Sequence, residues 1–413
     1  MPSPVFTPYM REMRDVAIIG VGHTKFGRHL GKSLVDLFGE AAMEAVHDAG
    51  IERKRIEALF LGQHGGGITD GTTNLGGFMA EELGLRGIPA LRLEGACASS
   101  SIAFREAYRE VAAGYHDMVL VGGTERLLSA GTSVGTKALA SAVDGIYESN
   151  TGLTFPGIFA ICARLYSGEY DIPLEDLREK MAQVSIKNHK YGAKNPLAQW
   201  YGKYGDLTVD EVLNSRMIAS PLTMMDCCPM TDGATACILA DGKIAEGLDQ
   251  KPIYVLGAGE AGAGGAYRQK LEMIRPMTRI ASSKAAFQEA DLTPDDVDVV
   301  ELHDCFTIAE IIASEAMGFF EFGEGADAVA DGKTAIGGKV PINPSGGLIG
   351  KGHPVGATGT SQIYLLTKQL RGKMDPMPDE LHVQGARVGM TDTLGGDFST
   401  ICNIILSVGR RGE

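Results

Sequence analysis

The chain has 413 residues, of which 44% are hydrophobic and 22% charged, with a formal net charge of −14. That acidity argues against nucleic acid as a main partner, and no run reaches 18 consecutive apolar residues, so no membrane-spanning helix is expected. The seven cysteines are odd in number and form no Cys-x-x-Cys pair, a usage expected of reduced thiols in a cytoplasmic protein with no structural metal.

The opening stretch MPSPVFTPYMREMRD lacks the apolar core of a signal peptide. DVAIIGVG (15–22) then reads as a buried strand. SLVDLFGEAAMEAVHDAGI (33–51) has helical periodicity, with Ser33 as N-cap and Gly50 as the stop. IEALFLG (56–62) is a second strand. In LEGACASSSIAF (93–104) a strand ends and Cys97 follows at the mouth of a helix over 99–116. A helix N-terminus favours thiolate, the reactive form of cysteine, and the small residues around Cys97 leave room for a substrate. DMVLVGG (117–123) is the next strand. Residues 125–225 differ in character: they carry Trp200, many tyrosines and KNHKYGAKNP (187–196), and read as an inserted loop domain.

After that insert the order of elements returns. PIYVLGAG (252–259) opens as a strand, and SSKAAFQEADLTPDDVDVVELHDC mirrors EAAMEAVHDAGIERKRIEALFLGQH, with Ala49 against Ala290 and Ile56 against Val297. DGATACILADG (232–242) is echoed by GDFSTICNIILSVG (396–409). Strand and helix in alternation, twice over, predict a duplicated layered α/β fold. Its first half covers 1–124 and 226–250, and its second half 251–413. GAGEAG (257–262) matches a dinucleotide fingerprint only superficially, because more glycines follow it where a helix should open. The adjacent Cys227 and Cys228 read as core or pocket-wall thiols.

Three further stretches carry chemistry. VELHDCFTIAEI (300–311) ends an apolar strand in His303, Asp304 and Cys305, two of which can donate or shuttle a proton; Asp304 reads as a cap for the helix that follows. NPSGGLIGKGHPVGATG (343–359) sets one imidazole, His353, among glycines, where it can activate a thiol. TDTLGGDF (391–398) ends a strand in Gly395 and Gly396, whose N–H groups can face an oxyanion. A Cys/His/His/Cys set fits acyl transfer through a thioester, followed by making or breaking a carbon–carbon bond.

These motifs together resemble the thiolase superfamily over essentially the whole chain. GACASS is similar to its nucleophile loop and GGLIGKGHPVGATG to its Gly-His-Pro loop. Most thiolases have Asn-Glu-Ala-Phe in the third motif and a second cysteine in a Cys-x-Gly loop. Here His-Asp-Cys-Phe stands at 303–306 and Leu394-Gly395-Gly396 at the other position, a combination that resembles sterol-carrier-protein-2-type and archaeal-type thiolases. The resemblance implies five layers, α-β-α-β-α, with the inserted loop domain. It implies that Cys97 is acylated, that His353 activates it, and that His353 and His303 line one oxyanion hole. The Cys97 and Gly396 N–H groups would form a second hole, and Cys305 would move the α-proton. The activity implied is CoA-dependent cleavage of a 3-oxoacyl-CoA or the reverse Claisen condensation. The alternatives are a ketoacyl-synthase or HMG-CoA-synthase-like condensing enzyme, and a non-catalytic acyl-CoA-binding scaffold. CoA is then a substrate, with no permanently bound cofactor. His189, Lys187 and Lys190, in a run with Lys194, are expected to meet CoA, as is Gly347. A homodimer or homotetramer is implied, with a small zinc-ribbon/OB-fold protein and HMG-CoA synthase as partners.

Overall fold

In the computed structural model the described residues are 13–413. The stretch read as lacking a signal core falls almost wholly on residues 1–12, outside the described residues. Eleven strands follow in order: β1 (Val16–His23), β2 (Ala58–Gly62), β3 (Ala90–Leu93), β4 (Met118–Arg126), β5 (Met217–Ala219), β6 (Leu222–Thr223), β7 (Asp232–Asp241), β8 (Ile253–Gly262), β9 (Val299–Glu301), β10 (Val388–Gly395) and β11 (Thr400–Ser407). Nine of them form one sheet in the order β3-β2-β4-β7-β1-β8-β11-β10-β9, and β5 and β6 form a separate ribbon.

The order reads the same from either end. β2 pairs in parallel with β3 and β4, and β4, β7 and β1 continue antiparallel. On the other side β9 pairs in parallel with β10 and with an isolated bridge at Ile342, and β10, β11 and β8 continue antiparallel. β1 and β8 join the halves. The fold is the duplicated, layered α/β fold that the repeated motifs predict.

Both faces of β1 are buried, as its unbroken apolar run requires. Ala17 and Ile19 pack toward the helix Leu34–Ala49, whereas Val16, Ile18 and Val21 pack toward two central helices, Ser99–Ala112 and Thr358–Arg371. Ser33 caps Leu34–Ala49 through a capping box with Asp36, and Gly50 ends it at φ 64, as the sequence predicts. The glycines of GAGEAG have a packing cause. A Cβ on Gly257 would lie 2.2 Å from the Ala286 carbonyl oxygen, and one on Gly259 1.9 Å from that of Ser282. Gly20 and Gly22 meet Ala45 and Ala41 in the same way in the first half. Strand and helix touch backbone to backbone in both halves, so these glycines serve close approach and not a nucleotide.

Between β4 and β7 lie the helices Phe155–Glu169 and Leu174–Gly192 and the β5–β6 ribbon. They share a core with the second half: Ile158, Phe159, Tyr166 and Leu177 pack with Phe306, Ile308, Leu394 and Phe398. This covers the sheet ends on which the predicted site residues sit.

Candidate active site

Cys97 lies in a turn between β3 and the central helix Ser99–Ala112. Ala96 just before it adopts φ 50, a left-handed conformation costly for a residue with a Cβ. The turn is pinned from three sides. Glu94 Oε1 accepts the Ala96 N–H at 2.7 Å, Ser99 Oγ accepts the Gly95 N–H at 3.0 Å, and the Ser99 hydroxyl donates to the Ala96 carbonyl at 2.6 Å. His353 occupies the matching place before the other central helix. Its N–H donates to Thr231 Oγ1 at 2.9 Å. The two central helices therefore bring their N-terminal turns, one from each repeat, to one point.

There His353 Nε2 stands 3.2 Å from Cys97 Sγ. His353 Nδ1 is 2.7 Å from Thr358 Oγ1, whose hydroxyl donates to the Pro354 carbonyl at 3.1 Å. With its own proton committed to that carbonyl, the hydroxyl accepts from Nδ1–H, and the lone pair of Nε2 faces the thiol. Both groups are buried, Cys97 to 6% and His353 to 6% exposure. Burial pushes the Cys97 thiol up to about 12, against a lowering by the Gly396 N–H, and burial and Lys351 push His353 down to about 3. The helix N-terminus was expected to favour thiolate at Cys97; desolvation overrides it, and the resting pair is a neutral thiol beside a neutral imidazole.

His303 is fully buried, with its ring 5.0 Å from that of His353 and nearly perpendicular to it. Neither ring nitrogen of His303 has a protein partner. Burial, reinforced by His353 and Arg279, holds its pKa well below the ordinary value, so it is neutral and offers one N–H. The buried pair Arg279–Asp392, bonded at 2.9 and 3.0 Å, fixes the backbone here, since Asp392 also accepts the His303 N–H at 3.4 Å. An unpartnered buried donor is costly, and a substrate oxygen would satisfy it.

Cys97, His303, Cys305, His353 and Gly396 all line one cavity of about 600 Å³. Gly396, at φ 63, directs its N–H to the Cys97 sulfur. Burial pushes the Cys305 and Cys228 thiols well above their ordinary values, and Cys228 and Cys97 lie close enough to Cys305 to raise its cost of ionising further, as Cys97 does for Cys228. The ligand atoms of Cys97, His303 and His353 lie within 4.8 Å of one another, a set that could also hold a soft metal ion.

Asp304 faces away from this chemistry. It accepts the Leu348 N–H at 2.6 Å, the Ile349 N–H at 3.3 Å and the Asn188 amide at 2.8 Å. It thus braces the short helix Gly347–Lys351 that leads to His353, not the helix that follows Asp304 in sequence. Burial and the neighbouring Glu310 push its pKa up to about 7. Gly347 is close to this carboxylate: a Cβ there, at φ +56, would lie 2.3 Å from Asp304 Oδ2.

The expected CoA contacts divide. His189 lines the cavity, but burial pushes it down to about 4, so it meets a ligand as a neutral ring. Lys187 is not a phosphate ligand. Its ammonium is buried in an ion pair with Glu310 at 2.5 Å and donates to the Ile342 carbonyl at 3.0 Å. Gly347 and Lys190 are not among the lining residues: Gly347 packs on Asp304, and the Lys190 side chain is exposed to solvent. Sequence reasoning missed Thr358, which fixes the tautomer of His353, and Arg216, which also lines the cavity. Thr358 was legible in principle, five residues past His353 on the first turn of a helix. Cys228, read as a pocket-wall thiol, lines the cavity.

Comparison with known proteins agrees with this geometry. The family model described as "Thiolase, N-terminal domain" matches residues 16–243, and "Thiolase C-terminal domain-like" matches 259–408. The chain is 40% identical over 395 residues to an acetyl-CoA acetyltransferase of Methanothermobacter thermautotrophicus, covering 96% of this chain and 100% of that protein. It is 35% identical to the benzoylsuccinyl-CoA thiolase subunit BbsB of Thauera aromatica, covering 94% and 96%. It is 35% identical to sterol carrier protein 2 of Gallus gallus, covering 92% and 70%. Among solved structures it is similar to an Ltp2-ChsH2(DUF35) aldolase, with TM-score 0.79, 24% identity and coverage of 95% and 97%. It is also similar to human mitochondrial 3-ketoacyl-CoA thiolase in complex with CoA, with TM-score 0.71, 16% identity and coverage of 96% and 98%.

Proposed function

The chain belongs to the thiolase family, and from that premise we propose how its own residues divide the reaction. It is a CoA-dependent acyltransferase that cleaves a 3-oxoacyl-CoA with CoA, or runs the reverse condensation. The 3.2 Å contact between His353 Nε2 and Cys97 Sγ carries the assignment of roles.

In cleavage, the Cys97 sulfur attacks the 3-oxo carbon while His353 Nε2 takes the thiol proton. The bond between C2 and C3 breaks, leaving the acyl group on Cys97 and an enolate of the shorter acyl-CoA. The unpartnered His303, together with the now protonated His353, donates to the enolate oxygen. Cys305 gives its proton to the α-carbon. CoA then enters, gives its thiol proton to the Cys305 thiolate and attacks the acyl-enzyme, whose developing oxyanion faces the Cys97 and Gly396 N–H groups; the Cys97 sulfur leaves and takes back its proton from His353. Both thiols are held protonated at rest, which suits Cys305 to donate in cleavage and to return as base in condensation.

The cavity supports acyl groups larger than acetyl. Its walls include Leu153, Phe155, Trp200, Tyr204, Ile218 and Phe306. A pantetheine arm would leave an apolar space fitted to branched or aromatic 3-oxoacyl groups as well as acetoacetyl. The inserted segment 125–225, which supplies most of that wall between halves at 1–124 with 226–250 and 251–413, is the specificity module. The seven cysteines, all unpaired, support a cytoplasmic setting, and no helix among the described residues is long and apolar enough to cross a membrane. A homodimer or homotetramer is the proposed state. A small zinc-ribbon/OB-fold subunit is the proposed partner, a reading supported by the DUF35-containing aldolase among the similar structures, with HMG-CoA synthase as a further one. The test is mass spectrometry after mixing with acetyl-CoA. Wild-type protein gains one acetyl group, mapped to Cys97; Cys97→Ala gains none and loses thiolysis. Retained turnover in Cys97→Ala would refute these roles.

A further inference from the structure

One charged group lies beside the nucleophile turn without taking part in acyl transfer or in moving the α-proton. His64 follows β2, and its side chain is only 5% exposed. Its Nδ1 is 2.7 Å from Glu94 Oε1, and its Nε2 is 3.0 Å from the Ala138 carbonyl oxygen. A carboxylate and a carbonyl only accept, so both ring nitrogens must donate, which a neutral imidazole cannot do. The Ala138 carbonyl lies in the last turn of the helix Thr132–Ala140, where the helix dipole favours a cation.

The two acceptors belong to different parts of the site. Glu94 Oε1 also accepts the Ala96 N–H, in the left-handed residue that sets the direction of Cys97. The helix Thr132–Ala140 supplies Thr132, Thr136 and Leu139 to the cavity wall. Behind the ring, buried Glu125 accepts the His64 N–H at 3.1 Å and the Gly356 N–H at 3.0 Å, which ties it to the His353 loop as well. The repeat register that sets Ala49 against Ala290 sets His64 against Cys305, so the first repeat places a proton-carrying side chain at the same strand end.

We propose that His64 is an imidazolium strut joining the Cys97 turn to the cavity wall, and so a positioning residue for acylation. This rests on Cys97 being the nucleophile. The charged groups facing the ring are Glu94 from the nucleophile turn and Glu125 from β4; Arg92 of β3 donates to the His64 carbonyl at 2.9 Å, and the Ser141 hydroxyl stands 3.4 Å from Nε2. Burial alone would push the ring down, but the Glu94 bond, the Glu125 charge and the Ala138 carbonyl outweigh it, so its pKa lies above the ordinary value. The strut is in place below that pKa and is lost as pH rises through it.

The experiment combines nitrogen-15 NMR of labelled histidine with kinetics of His64→Gln and Glu94→Gln. In wild-type protein at pH 7 the His64 signals, assigned by their absence in His64→Gln, should report protons on both ring nitrogens. Glu94→Gln, a change at a half-exposed side chain, should lower the pH at which one is lost. His64→Gln should lower kcat by about 10-fold or more while KM moves by less than about 3-fold, since a small misplacement of an attacking group costs that much. The alkaline fall in kcat that tracks the NMR transition should vanish with it. One unprotonated ring nitrogen at pH 7, or a His64→Gln enzyme with wild-type kcat, would overturn the proposal. Should His64→Gln fail to fold, the His64 signals are assigned as those whose transition Glu94→Gln moves, and the wild-type and Glu94→Gln titrations decide. The NMR result does not depend on which residue is acylated, so failure of the Cys97 assignment would show separately, as turnover in Cys97→Ala.

Discussion

At the scale of single residues, the site is governed by desolvation. Cys97 sits in the turn that opens the helix Ser99–Ala112, and that position alone argues for a thiolate. Its burial with only a neutral imidazole beside it reverses the sign, to a thiol near 12. The consequence is measurable. A thiol whose folded pKa lies above its ordinary value gains thiolate steadily as pH rises, so alkylation of Cys97 by iodoacetamide should climb about 10-fold per pH unit through pH 9 without a plateau. A plateau near neutral pH would instead indicate a preformed thiolate–imidazolium pair. The same physics separates the basic run 187–194. In sequence its lysines look alike, but packing turns Lys187 inward to Glu310 and leaves Lys190 exposed, while Lys194, past the helix end, is half-exposed and paired with Glu380 at 2.6 Å. Spacing shows that charges cluster; only packing shows which of them are already spent.

At the scale of elements, the two repeats explain features that look unrelated in isolation. Glycines at 20 and 22 and at 257 and 259 exist because a helix backbone lies against each strand. Gly259→Ala should therefore destabilise the fold by about 1–3 kcal/mol, read as a lowered midpoint in urea, because its Cβ would fall 1.9 Å from the Ser282 carbonyl oxygen. Unchanged stability would mean that strand and helix are not in such contact. Legibility followed the strength of local signals. The Leu34–Ala49 helix could be read closely because Ser33 and Gly50 close it at both ends. The strand before His303 is only three residues long, and its partner at Ile342 is a single bridge, so the palindromic order of the sheet had to come from pairing. Asp304 was misassigned for a related reason. Sequence offers it the next helix, whereas the fold offers it the turn at Gly347–Lys351, more than forty residues on.

At the scale of the whole molecule, function arises because the duplication folds two chain-distant N-terminal turns onto one cavity and the inserted segment roofs it. Cys97 comes from the first repeat, whereas Cys305, His303 and His353 come from the second. Motif residues and their order were legible in the sequence, as were the four that meet. The size and aromatic lining of the cavity were not, because Phe155, Trp200, Tyr204 and Ile218 come from a stretch with little periodic signal. The central claim is that the two thiols do different work on one substrate, Cys97 holding the acyl group and Cys305 moving the α-proton. The measurement that separates them is Cys305→Ser incubated with acetyl-CoA in deuterium oxide. Mass spectrometry should find Cys97 acetylated as in wild type, while exchange of the acetyl α-protons into solvent falls by at least about 100-fold, within the range general acid–base groups contribute. Wild-type exchange in Cys305→Ser, with Cys97 still acylated, would contradict the account.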